Sequence, residues 1–368
     1  MKNAVLLMFL IFILIGLGWV FTRTLPTSGI DIRKSYTPTP PPATDSMPTP
    51  SLSKSIFVPY WAGKGEENSA EYRNYYYFGV RPTAGGTIEN EAGLQNLTLV
   101  DKIPEKQKKL VLRMLDSTVT EAILAEKSTQ KILISELLTI MSENTFSGIV
   151  LDIEVPFTLQ ADKKEQITKF VQLICTAVKS DYKTCDFLIY GDYSYRNRPY
   201  DVKALGEVVD TILLMAYDFH KAGGEPGPNF PFRKVNSEPV ELLRASPLIV
   251  NYGYDFKTMI QDTLMLVPKN KIEVVFGMYG YDWTLNEQGT PLKGATALSL
   301  KAIQSKVLTS EGLKVKSNNS KEKSFEYVDL EGLKHIVWYE DEESVAVKKE
   351  YLQSVGIGKI SYWAHTYY

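Results

Sequence analysis

From Ser55 onward, short apolar runs alternate with stretches whose apolar positions recur every three or four residues. Eight runs read as strands: SIFVPYWAG, EYRNYYYFGV, KKLVLRML, FSGIVLDIE, DFLIYGDYSY, DTILLMAYD, KIEVVFGMYGYDW and KISYWAH. Between them, TQKILISELLTIMSEN and KEQITKFVQLICTAVKS carry the helical period. Strand alternating with helix predicts a parallel sheet, and eight such units predict a closed α/β barrel of the (β/α)8 TIM type. A small α+β insertion is expected between the last two strands, at about residues 284–345. There FEYVDLEGLKHIVWY reads as a hairpin turning at Leu330–Leu333, followed by a helix capped by Asp341 or Ser344.

One strand breaks the apolar rule. In FSGIVLDIEVP, Asp152 and Glu154 interrupt a run of mostly β-branched residues. Alternation puts Val150, Asp152 and Glu154 on one face and Ile149, Leu151 and Ile153 on the other. The second face is apolar throughout and suits the outer helices, so the first points into the barrel. Glu154 then stands at the strand's C-terminal end, where barrel enzymes carry their catalytic groups. Partial burial there keeps a carboxyl protonated as a general acid, and a second carboxylate along the strand modulates it. A single buried acid is more often satisfied by a neighbouring arginine or hydroxyl; two on one inward face favour chemistry.

Ahead of the barrel the pattern changes twice. Residues 4–21, AVLLMFLIFILIGLGWVF, hold no charge between Lys2 and Arg23 and reach the lower limit for a membrane-spanning helix. Residues 1–22 are therefore expected to be an uncleaved anchor, the other reading being a cleaved signal. Residues 23–54 form a linker; SYTPTPPPATDSMPTP has six prolines and almost no large apolar side chain. The barrel, residues 55–368, would then lie outside the cytoplasm, tethered to the membrane or secreted. Among 368 residues, 44% are hydrophobic and 23% charged, enough for a sizeable core. A net charge of -2 gives no electrostatic case for nucleic acid. Twenty-two Tyr and five Trp suit surfaces that stack on sugar rings. His220, His335 and His365 show no metal spacing, and neither metal nor cofactor is expected. Cys175 and Cys185, ten apart, form either a local disulfide or buried thiols.

These residues resemble the signature of glycoside hydrolase family 18, the chitinase-like barrels. The family's fourth strand reads F-D-G-x-D-x-D-x-E, matched here by Phe146, Gly148, Asp152 and Glu154. MAYD (Met215 to Asp218) is similar to the sixth-strand motif, and YGYDW (Tyr279 to Trp283) to the seventh-strand motif of the spore-cortex and peptidoglycan-related branch. YW with Trp363 resembles the eighth-strand tryptophan, and HIVWYED the segment before the last helix. Four motifs in order outweigh any one alone. Ser147 and Val150 stand where the family carries aspartates, and RMLDS (Arg113 to Ser117) replaces its glycine-rich third-strand motif.

The resemblance implies substrate-assisted retaining hydrolysis of an N-acetylated polysaccharide or oligosaccharide. Glu154 would serve as general acid and base, Asp152 would orient the 2-acetamido group, and Tyr217 would donate to its oxygen. Met215 and Asp218 would shape the acetamido pocket and Trp363 would floor the sugar. Tyr60, Tyr279, Tyr281, Asp282 and Trp283 are expected to line the rest of the glycan site. Two rival readings are a sugar-binding protein without turnover and a membrane-tethered scaffold. Retained Glu154 argues against the first, and the inward carboxylates against the second.

Overall fold

The computed structural model describes residues 51–62, 72–155, 161–233, 253–309, 313–317 and 319–364. The expected anchor and most of the linker (residues 1–50) and His365 lie outside the described residues. Among those described, no helix is long and apolar enough to cross a membrane.

Eight parallel strands close the barrel: β1 (Ser53–Pro59), β2 (Asn74–Val80), β3 (Lys108–Met114), β4 (Gly148–Ile153), β5 (Thr184–Tyr190), β6 (Thr211–Ala216), β7 (Ile272–Gly277) and β13 (Lys359–Trp363). Closure comes from β1 beside β13, with Ser55 opposite Ser361. Each strand coincides with one of the eight apolar runs, because strands buried on both faces leave little room for polar residues. Outside the barrel run α1 (Ser117–Ala125), α2 (Lys127–Glu143), α3 (Ala161–Ser180), α4 (Val202–Val208), α5 (Phe256–Leu264) and α7 (Glu342–Val355). Asp116, Asp201, Asp255 and Asp341 cap α1, α4, α5 and α7 by accepting first-turn N–H groups. At α7, Ser344 completes a capping box with Asp341. A Cys175–Cys185 disulfide, with Cα atoms 5.3 Å apart, pins α3 to β5.

The alternation on β4 divides as the pattern requires. Ile149, Leu151 and Ile153 join the outer core against the helices. Val150 sits in the barrel interior with Phe57, Tyr76, Val111, Leu188, Leu213 and Val275.

The seventh run departs from expectation. KIEVVFGMYGYDW is two strands: β7 ends at Gly277, and β8 (Tyr279–Leu285) leaves the barrel as the first strand of a second sheet. Gly277 marks the break because a Cβ there would lie 2.6 Å from the Tyr279 ring and 2.7 Å from Tyr217 Cβ. The second sheet has the order β10-β11-β12-β8-β9, with β9 (Thr296–Ser299), β10 (Lys316–Ser317), β11 (Lys323–Val328) and β12 (Lys334–Tyr339). Helix α6 (Leu300–Thr309) follows β9. β11 and β12 form the expected hairpin, turning at Asp329 to Leu333.

Candidate active site

At the C-terminal ends of the barrel strands lies a cleft of about 310 Å³, within the range of small-ligand sites. Asp152 and Glu154 enter it from β4 and Tyr190 from β5. Met215, Tyr217 and Asp218 come from the end of β6, Trp363 from β13, and Tyr279 and Tyr281 from β8.

The two β4 carboxyls differ in their surroundings. Asp152 is fully buried, and no N–H or hydroxyl donor among the described residues bonds either of its oxygens; its carboxyl meets only that of Glu154. Burial raises its pKa well above the usual carboxylate range, the Glu154 charge adds to this, and Arg113 opposes it. Glu154 sits higher, at the rim of the cleft. Burial raises its pKa too, while a hydrogen bond from the Tyr190 hydroxyl holds it down and Asp218 pushes it up. Two acids this close hold a shared proton more tightly than either would alone.

Directly below this pair is Val150, inside the apolar interior cluster. Arg113 lies opposite Asp152 on β3. Its Nε donates to the Gly79 carbonyl at 2.8 Å, its Nη2 to Glu91 at 2.6 Å, and its guanidinium covers the Tyr60 ring at 4.6 Å. An apolar residue and a cation thus stand near Asp152, at Val150 and in the RMLDS segment, where the chain departs from the family pattern.

On the other wall, Asp218 Oδ1 accepts hydrogen bonds from the Tyr279 and Tyr281 hydroxyls, the latter at 2.8 Å. Burial raises the Asp218 pKa and these bonds lower it. Tyr217 packs between Tyr279 and Trp363, with ring centroids 6.1 and 6.3 Å away. Phe57 and Phe78 support Trp363 from behind at 5.4 and 4.6 Å.

Eight of the expected site residues therefore meet around one cleft: Asp152, Glu154, Met215, Tyr217, Asp218, Tyr279, Tyr281 and Trp363. Three do not. Tyr60 follows the end of β1, stacks edge-on with Trp61 and lies under Arg113. Trp283 is fully buried, its Nε1 donating to the Gly224 carbonyl at 3.0 Å, and it supports Tyr281 from below. Asp282 points to the opposite face of the insertion sheet, where it binds His335, Tyr327 and Lys306. The physical reason is alternation in β8: Tyr279, Tyr281 and Trp283 share the face toward the barrel, and Asp282 cannot.

Tyr190 was missed by the sequence reading. It shares the inward face of β5 with Asp186 and Leu188, so the rule that located Glu154 also finds it. Arg198 covers its ring at 3.7 Å and makes two 2.8 Å bonds to Asp192.

Comparison with known proteins agrees with this geometry. A family model, that of the glycosyl hydrolases family 18, matches residues 67–367. The uncharacterized glycosylase YvbX of Bacillus subtilis is 24% identical over 254 residues, 68% of this chain and 66% of its own. A cortical fragment-lytic enzyme of Bacillus anthracis is 25% identical over 252 residues, 67% of this chain and 52% of its own. The chain thus spans about half to two thirds of the length of these curated relatives. Among solved structures, the spore cortex-lytic enzyme SleL of Bacillus cereus superposes with a TM-score of 0.65 at 20% identity, over 87% of this chain and 72% of its own. Ostrinia furnacalis Group IV chitinase gives 0.68 at 17%, over 85% and 92%. At this identity the two structures bear on the fold alone.

Proposed function

The chain belongs to the glycosyl hydrolases family 18, and we propose that it hydrolyses N-acetylglucosamine-containing glycans, with retention and with the substrate's own acetamido group as nucleophile. The observation that carries this reading is the Asp152–Glu154 pair at the mouth of the barrel: one acid fully buried with no donor bonded to it, the other beside it at the rim, and both pushed up in pKa by burial. Glu154 protonates the glycosidic oxygen as the leaving group departs. Asp152, to which no protein N–H or hydroxyl donates, accepts the acetamido N–H, so the carbonyl oxygen is turned toward the anomeric carbon and an oxazolinium forms. Tyr217 steadies the acetamido oxygen, and Trp363 lies under the ring. Glu154 then takes a proton from the incoming water, and the sugar is released. The Tyr190 hydroxyl lowers the Glu154 pKa and so favours this second, basic role.

Val150 supports a second reading, sugar binding with slow or no turnover, because an apolar residue stands below Asp152 on its own strand and the acid opposite Val150 on β5, Asp186, is already paired with Lys109. The uncharged run from Ala4 to Phe21 and the proline-rich stretch after it support attachment at the outer face of the cell membrane. One experiment separates the two functional readings. Incubating the protein with N-acetylglucosamine oligomers and with purified peptidoglycan, then weighing the products, yields shortened glycans under the first and unchanged glycans under the second. A thiazoline analogue of N-acetylglucosamine should inhibit competitively, since it mimics the oxazolinium.

A further inference from the structure

Behind the cleft lies a fully buried ionic cluster that the catalytic scheme does not use. Lys348 of α7, Glu322 just before β11 and Glu340 just after β12 are each wholly without exposure. The Lys348 ammonium donates to Glu322 Oε1 at 2.9 Å and to Glu340. Taking three ionisable groups out of water is costly unless their geometry serves something else, and such clusters do not by themselves imply stability.

What Glu322 holds is the loop after β6. Its two carboxylate oxygens accept the backbone N–H groups of Asn229, at 2.5 Å, and Phe230, at 2.8 Å. The adjoining Ser320 carbonyl accepts the N–H of Phe232 at 2.9 Å. Asn229, so fixed, grips the cleft directly. Its side-chain oxygen accepts the N–H of Asp218 at 2.7 Å, and its backbone carbonyl accepts the N–H of Phe219, also at 2.7 Å. Asp218 needs that grip because its φ is +57°, in the left-handed region that costs a non-glycine residue energy. In that conformation its carboxyl receives the Tyr279 and Tyr281 hydroxyls.

We propose that Glu322 is a positioning residue for the cleft: anchored by Lys348, it fixes Asn229, and Asn229 holds Asp218 in the left-handed conformation that joins β6 to the insertion-sheet tyrosines. The insertion is thereby a clamp on one wall of the sugar site, acting from a residue that never meets substrate. This rests on the cleft being that site. It adds that the shape of the acetamido pocket depends on charge buried in the insertion.

The test is a double-mutant cycle in the full chain, with hydrolysis of N-acetylglucosamine oligomers as readout. Glu322→Gln removes one acceptor and turns an amide NH2 toward a backbone N–H. The expected result is a KM raised about tenfold with a smaller fall in kcat. A merely structural lesion would instead lower kcat through the folded fraction and leave KM alone. Adding Asp218→Asn to Glu322→Gln should cost no more than the worse single change, because both act on one element. Should Glu322→Gln not fold, Asn229→Ala, which leaves the ionic cluster whole, carries the same cycle. Wild-type KM in a folded Glu322→Gln or Asn229→Ala variant, or effects that multiply with Asp218→Asn, would overturn the proposal. Inactive wild-type protein overturns the hydrolase reading instead, so the two failures are distinguishable.

Discussion

The two ends of this barrel bury acids in opposite ways. At the N-terminal end, Lys109 donates to Asp186 at 2.5 Å, the Tyr76 hydroxyl donates to Glu273 at 2.9 Å, and Lys359 donates to Thr211 at 3.2 Å. At the C-terminal end, no cation, backbone N–H or hydroxyl among the described residues bonds Asp152, and the group that its carboxyl meets is another acid, Glu154. The strands are the same, and the inward face of each runs through both ends. The contrast teaches that burial does not set a carboxyl's role; what matters is whether the opposing strands supply a partner. Supplied with one, the acid ties strands together. Left without one, it stands ready for a ligand at a cost in stability.

The largest break in this comparison should come from Glu154→Gln. Loss of the proposed general acid is expected to lower kcat by about 10²–10⁴-fold, with the denaturation midpoint unchanged or higher; steady-state kinetics and urea unfolding read the two effects. Lys109→Met should do the reverse. It leaves Asp186 buried without its cation and is expected to cost about 3–5 kcal/mol of stability. Activity per folded molecule should hold near the wild-type value, as active-site titration beside the unfolding curve will show.

A subtler effect follows from Glu273, whose pKa burial pushes up to about 7 against the hydrogen bond from Tyr76 and the charge of Lys109. Between its ordinary value and about 7, the native state keeps a proton that the unfolded chain has released. Stability should therefore fall as pH rises through that window, by up to about 3 kcal/mol in all. Glu273→Gln should flatten that part of the stability–pH curve and leave the pH–rate profile intact. A flattened rate profile would instead connect the two ends of the barrel.

The fold was largely legible because the barrel strands are buried on both faces and so read as unbroken apolar runs. Where such a run crosses from one sheet into another, as at Gly277–Met278, composition carries no boundary; only the crowding of Tyr217 and Tyr279 against Gly277 does. The cleft was legible wherever one strand's alternation decides direction, as for Asp152, Glu154 and Tyr217. Tyr60 escaped this because the chain turns after Pro59 and the period of two ends there. Asp282 and Trp283 were grouped with Tyr279 and Tyr281 by motif, although alternation separates the first by face and depth separates the second. The Glu322–Asn229–Asp218 relay left no local trace. Its members are distant in sequence, and each reads alone as an ordinary polar residue.

One measurement bears most directly on the contrast between the two ends: the urea-unfolding free energy of Asp152→Asn at neutral pH. Asp152 is a buried acid with a raised pKa and no cation or donor bonded to it, only the acid Glu154 beside it, so its ionisation opposes folding. The account predicts a stability equal to or above that of the wild type, together with loss of hydrolysis. A drop of about 2 kcal/mol or more would show that Asp152 holds the barrel together as Asp186 does, and would contradict the account.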